Sequence, residues 1–160
     1  MLADIRPARA VDVDALAAIE NAAFKSDRIS RRSFARLINS PSAAVLVAGP
    51  QESAEGYCVV LFRRGSRQAR LYSIAVSNNA PRGLGRRLLA AAEAEALRRG
   101  AAMLRLEVRR DNGRAIALYE RNAYRPAGEA PDYYADGMTA LRYEKPLGAE
   151  TLPAAGTASS

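Results

Sequence analysis

The stretch "ARLYSIAVSNNAPRGLGRRLLAAAEAEALRRGAAMLRLEVR" (69–109) constrains the fold of this chain more than any other. It opens as an apolar strand (69–76), turns through two glycines, and becomes an alanine- and leucine-rich helix from Gly83 to about Arg99. Leu84, Leu88, Leu89, Ala92 and Ala96 line the helix's inward face, and Gly100 stands where a left-handed cap belongs. A second strand (102–109) follows, in which Leu104, Leu106 and Val108 share one face and Arg105, Glu107 and Arg109 the other. A strand–helix–strand unit of this kind belongs in a sheet covered by helices.

The flanking segments extend that sheet. "ADIRPA" (3–8) reads as a first strand ending at Pro7. Asp12 is placed to cap a helix through about Phe24, with Val13, Leu16, Ala17, Ile19 and Ala23 as its apolar stripe. Ser30 caps a second helix (31–39) that carries Phe34, Leu37 and Ile38 inward and stops at Pro41. Strands at 43–48 and 57–62 flank a hairpin loop (49–56), and 63–68 is a second tight connection. Beyond Arg109, Asp111 or Asn112 caps a helix to about Arg121. A short strand (123–129) interrupted by Pro126, a loop (130–137) and a closing strand (138–147) complete the pattern. The predicted class is α/β, in the order β-α-α-β-β-β-α-β-α-β-β, with a mixed central sheet and helices on both faces. Residues 1–147 read as one domain, and 148–160, small and polar, as a disordered tail.

Absent residues narrow the chemistry. With no histidine, a Ser-His-Asp triad, a Cys-His pair and a histidine zinc site are excluded; one cysteine cannot build a thiolate zinc cage. No metal is expected, and acid–base work falls to Glu, Asp, Tyr or water. Cys58, inside "YCVVLF", reads as core. The net charge of +7 is carried almost wholly by arginine and suits an anionic partner, although biased codon usage gives the same excess. The arginines are scattered with no aromatic–basic repeat, which argues against specific nucleic-acid binding. Without a membrane-length apolar run or a signal peptide, the chain reads as a cytoplasmic protein, monomer or homodimer.

In "PRGLGRRLL" (81–89), Gly83 and Gly85 permit close backbone approach while Arg86 and Arg87 add charge at a helix N-terminus. Alone, this is equally a tight turn with two solvated arginines. Together with "IAV" before it and "LRLEVRRDNGRAIALYERNAYR" after it, the pattern resembles the GNAT acetyltransferase superfamily, in particular the bacterial ribosomal-protein-alanine N-acetyltransferases. The close resemblance spans roughly residues 71–125. Two positions depart from it: Ala80 stands where the family usually has Gln or Arg, and Ala123 where it usually has Gly.

The resemblance implies acetyl-CoA as donor and a primary amine as acceptor. By its pattern, the backbone of Ile74, Ala75 and Val76 pairs with the pantetheine arm, and an N–H near Ala75 or Val76 serves the developing oxyanion. Pro81, Arg82, Gly83, Leu84, Gly85 and Arg86, with Arg87, wrap the pyrophosphate, and Asn112 contacts pantetheine. Glu107 matches the family's general base and Tyr119 its general acid. Read without the family, Asn112 is a helix cap, Glu107 a carboxylate neutralised by Arg105 and Arg109, and Tyr119 a packing aromatic. Tyr133 and Tyr134, and the segment 24–34, flank the expected acceptor groove; Arg28, Arg31 and Arg32 either hold an acidic acceptor or form a solvated face. The acceptor is a protein N-terminus or a small amine, and a non-catalytic acyl-CoA-binding module is the remaining alternative.

Overall fold

The computed structural model describes residues 4–148. The expected tail, apart from Gly148, lies outside these residues. The strands are β1 (Ile5–Pro7), β2 (Ala43–Ala48), β3 (Gly56–Phe62), β4 (Gln68–Val76), β5 (Met103–Arg109), β6 (Arg125–Ala130) and β7 (Ala140–Pro146). The helices are α1 (Val13–Ala23), α2 (Arg31–Ile38), α3 (Leu84–Arg98) and α4 (Gly113–Arg121). The sheet runs β1-β2-β3-β4-β5-β7-β6, and only β4 and β5 pair in parallel. Order and composition of elements match the sequence reading, with ends shifted by a residue or two.

Strand alternation divides the core between two sheet faces. Val45, Val47, Tyr57 and Val59 meet Leu16, Ile19 and Phe34 from α1 and α2. Cys58, Val60, Leu71, Leu104, Leu106 and Val108 meet Leu88, Leu89 and Ala92 of α3 and Tyr119 of α4. Burial pushes the Cys58 thiol up to about 12, as befits an inert core cysteine.

Two expectations at the N-terminal end are corrected. Asp12 does not cap α1 with its side chain. Its fully buried carboxylate instead takes both ends of the Arg6 guanidinium (2.9 and 2.9 Å) and the Arg9 N–H (2.8 Å), tying β1 to the turn before α1. That guanidinium holds the Asp12 carboxyl below its usual range. Ala23 is exposed, and the inward position one turn earlier belongs to Glu20, only 2% exposed. Its carboxylate accepts the Ile29 N–H (2.8 Å) and the Tyr57 hydroxyl, so the buried charge is hydrogen-bonded on both oxygens.

β4 carries one residue more than its partner. Val59 faces Ser73 and Val60 faces Leu71, so Tyr72 has no opposite number in β3. Such a bulge bends the strand that contains it. On its other edge β4 pairs with β5 from Gln68–Met103 to Leu71–Leu106 and stops there, at the bulge. β4 and β5 separate beyond that point.

α4 ends in a Schellman turn: Tyr124 N–H donates to Tyr119 C=O (3.0 Å) and Ala123 N–H to Glu120 C=O (3.4 Å). The rings of Tyr119 and Tyr124 meet edge-on at 5.8 Å across it. The turn requires a left-handed residue, and Ala123 supplies it at φ +73. A β-carbon is strained there, so Ala123→Gly is expected to stabilise the protein by about 1 kcal/mol. Urea unfolding checks it: the midpoint should rise with an unchanged slope, and a lower midpoint would contradict the assignment.

Candidate active site

A cavity of about 380 Å³ lies in the opening between β4 and β5. Its floor is Arg70 to Ile74 of β4 and Glu107 to Arg109 of β5. One wall comes from the end of α1 and the segment after it, through Glu20, Phe24, Ser26, Asp27 and Ile29. The other comes from α4 and the β6–β7 connection, through Asn112, Ala115, Tyr119, Tyr133 and Tyr134. Six residues singled out from sequence (Ile74, Glu107, Asn112, Tyr119, Tyr133 and Tyr134) therefore meet in one space.

Glu107 sits at the point where β5 leaves β4, on the face opposite Leu106 and Val108 as the alternation requires. Its side chain is 6% exposed and receives Arg70 Nε at 2.8 Å, Arg105 at 3.3 Å and Arg142 Nε at 3.5 Å. The expected partner Arg109 is elsewhere, paired with Asp111 (3.0 Å) and Asp136 (2.7 Å). A carboxylate offers about four lone-pair positions, so a ligand or water can still share Glu107 with these donors.

Tyr119 is buried on the inner side of α4, yet its ring lines the cavity. Its hydroxyl has no hydrogen-bond partner among the described residues. Burial raises its pKa, so the phenol keeps its proton throughout the neutral range. Tyr134 is likewise raised, to about 12, by burial and by neighbouring Tyr133 and Glu107.

The loop bearing Tyr133 and Tyr134 is fastened on both sides of the groove. Asp27 accepts the Ala135 N–H (3.3 Å), Arg109 pairs with Asp136 and lies 5.1 Å above the Tyr134 ring, and Arg70 donates to the Tyr133 hydroxyl (2.7 Å). Segment 24–34 flanks the groove as expected, but its arginines do not face it. Arg28 donates to the carbonyls of Phe24 (2.6 Å) and Asn21 (3.2 Å) at the end of α1, Arg31 pairs with Asp14, and Arg32 is exposed.

The free edge of β4 has a definite polarity. Ser77 N–H donates to Glu55 C=O of the β3 side (2.8 Å). Because successive N–H groups alternate along an extended strand, Ala75 N–H also points to β3, whereas Ile74 and Val76 N–H point into the opening. Of the two oxyanion candidates, Val76 has the required direction and Ala75 does not.

At the N-terminus of α3, Gly83 adopts φ +89, and a β-carbon built there meets nothing within 4 Å. Leu84 N–H reaches Pro81 C=O (3.3 Å) and Arg87 N–H reaches Gly83 C=O (3.2 Å). Among the described residues, the N–H groups of Gly85 and Arg86 have no backbone acceptor, as in the first turn of any helix. Gly85 approaches Leu118 of α4, its β-carbon position lying 3.6 Å away. Pro81 to Arg87 do not line the main cavity. Ala80 is half-buried and packs against the α3-side core. Asn112 does cap α4, its Oδ1 accepting Ala115 N–H at 3.2 Å, which leaves its amide NH₂ for a ligand.

Sequence reading missed Glu20, Asp27 and Arg70. Glu20 reads as a polar break in an apolar stripe, and Arg70 reaches Glu107 only through strand pairing 37 positions apart.

A free β4 edge beside a helix N-terminus with open amides fits a long ligand carrying phosphates at one end. The acetyltransferase (GNAT) family model matches residues 13–124. The fold is similar to the ribosomal-protein-S18-alanine N-acetyltransferase of Escherichia coli, with TM-score 0.79 and 30% identity over 95% of this chain and 99% of that one. It is similar also to the ribosomal-protein-alanine N-acetyltransferase of Brucella melitensis, with TM-score 0.76 and 26% identity over 90% and 99%. Ard1 of Thermoplasma volcanium shares the fold, with TM-score 0.83 and 24% identity over 93% and 100%. No curated protein sequence matches the chain. The chain belongs to the GNAT acetyltransferase family and is an acetyl-CoA-dependent N-acyltransferase.

Proposed function

We propose that this enzyme acetylates the α-amine of a protein N-terminus, with Glu107 as general base and Tyr119 as general acid. The observation that carries the reading is the meeting of Glu107, Tyr119 and Ile74 around one cavity, with the outward N–H groups of Ile74 and Val76 on the unpaired edge of β4 beside it. The likeness to enzymes that acetylate ribosomal-protein alanines supports the acceptor class.

Bound acetyl-CoA supplies an activated acyl thioester. Ile74, Val76 and Asn112 would hold its pantetheine arm, and Pro81 to Arg87 its pyrophosphate. Ala75, with its N–H turned to β3, contributes as the strand residue between the two outward amides.

The amine must arrive without its proton. An α-amine has a pKa near 8 against about 10.4 for lysine, so about a tenth of it is already free base at neutral pH. Glu107 takes the proton directly or through one water. Tyr119, protonated and with its hydroxyl unpartnered among the described residues, faces the cavity from α4 and donates to the departing sulfur. Tyr133 and Tyr134 edge the groove through which the acceptor enters, their rings 5.0 Å apart.

Acetyl-CoA is expected to raise the melting temperature by mass action. Gly83→Val should remove that shift, because the side chain enters the space over the helix N-terminus. It also strains the turn and lowers the starting temperature, so the ligand-induced difference is the readout. Gly85→Ala, whose methyl fits against Leu118, should retain the shift. An undiminished shift in Gly83→Val would contradict the phosphate site.

Tyr119→Phe should lower kcat by about 10²–10⁴-fold while acetyl-CoA affinity changes little, since the ring still packs and its hydroxyl has no partner to strand. Glu107→Gln should regain rate as pH rises toward the pKa of the amine, more steeply than wild type. The check is kcat/KM for a peptide with a free N-terminus against pH in all three proteins. Parallel profiles for Glu107→Gln and wild type with a small loss would leave Glu107 as an arginine-held structural carboxylate.

A further inference from the structure

Three guanidinium groups from three adjacent strands converge on the single Glu107 carboxylate: Arg70 of β4, Arg105 of β5 and Arg142 of β7. One negative charge offsets one of them. Register places Glu144 of β7 between Arg105 and Arg125, and counting this further pair leaves the excess positive charge unchanged. Arg109, the other cation facing the groove, is already matched by Asp111 and Asp136. The carboxylates on the opposite wall are Glu20, which is hydrogen-bonded on both oxygens, and Asp27, which holds Ala135. Arg70 lines the groove directly, and Arg105 and Arg142 adjoin its floor through Glu107, so the groove is positive on its β-sheet side and negative along its α1 wall.

Arg70 reaches this floor with donors to spare. Its Nε serves Glu107 and its NH2 serves Tyr133, while NH1 makes no hydrogen bond among the described residues. Arg70 Nε lies 2.8 Å from the Glu107 carboxylate that would take the proton of the amine, so the first residues of an extended acceptor pass within a side chain's reach of Arg70. An acidic side chain at the second or third position of the acceptor would come beside Arg70.

We propose that the Arg70–Arg105–Arg142 cluster selects acceptor N-termini carrying Asp or Glu at the second or third position. The inference rests on the N-terminal-acetyltransferase reading above and adds the charge of the acceptor. A carboxylate gaining a charge-assisted hydrogen bond there is worth about tenfold in specificity, and screening by salt weakens it.

The test compares kcat/KM, by thiol release from acetyl-CoA, for three peptides that start with alanine and differ only at positions two and three: Glu-Glu, Gln-Gln and Lys-Lys. Spermidine serves as a non-peptide amine. Wild type should favour Glu-Glu over Gln-Gln by about tenfold at low salt and disfavour Lys-Lys, with the ratio shrinking as salt rises. In Arg70→Gln and in Arg142→Gln the Glu-Glu to Gln-Gln ratio should fall toward one. Ratios within one protein cancel any general loss of rate, and the wild-type series stands even if a variant fails to fold. Equal rates on all three peptides, or a preference for Lys-Lys, would overturn the charge selection and leave N-terminal acetylation intact. Turnover of spermidine with none on any peptide would overturn the N-terminal reading itself and the selection with it.

Discussion

The one-residue bulge at Tyr72 is the feature on which the site depends. A parallel pair such as β4 and β5 would ordinarily continue its hydrogen bonds to the strand ends and leave nothing between them. Here β4 has a residue that β3 cannot match, and pairing with β5 ends at Leu71–Leu106. Past that point the two strands turn one edge each toward the same space, with backbone amides on β4 and the Glu107 carboxylate on β5. Edge amides left in this way are a natural template for an extended ligand. α3 and α4 fill the face behind the opening through Leu84, Leu88 and Tyr119, so the separation is held by core packing.

The walls of the opening are held by buried polar contacts. Glu20 joins α1 to β3 through Tyr57 and to the segment before α2 through the Ile29 amide. Losing one partner of such a group leaves a desolvated charge, so this wall is fixed more firmly than its loop character implies. Across the groove, Asp27 and Arg109 each hold the β6–β7 connection from a different element. Tyr119 is set by the Schellman turn that follows it, with Ala123 in a conformation better suited to glycine.

Much of this was legible from local pattern. The alternation of "LRLEVR" places Glu107 on the face away from Leu106, and Ser30, Gly100 and Asn112 do cap the helices they adjoin. What escaped the sequence depends on partners that only the folded chain brings together. Nothing around Tyr72 marks a bulge, because the mismatch exists only against Val59 and Val60. Asp12 has every local property of a helix cap, yet its carboxylate binds Arg6, which strand β1 brings alongside. Glu107 was expected beside Arg105 and Arg109, its neighbours on the same strand face. Arg105 does pair with it, pairing with β4 and β7 adds Arg70 and Arg142, and Asp136 draws Arg109 away.

The central claim is that the bulge turns the Ile74 and Val76 amides into the opening, where acetyl-CoA pairs with them. Residue-resolved amide hydrogen exchange, with and without saturating acetyl-CoA, tests it most directly. The amides of Ile74 and Val76 should exchange quickly in the free protein and slow markedly on binding, while Ala75, bonded to β3, changes little. Unchanged exchange at Ile74 and Val76 under conditions where acetyl-CoA is demonstrably bound would place the ligand away from the β4 edge and contradict the account.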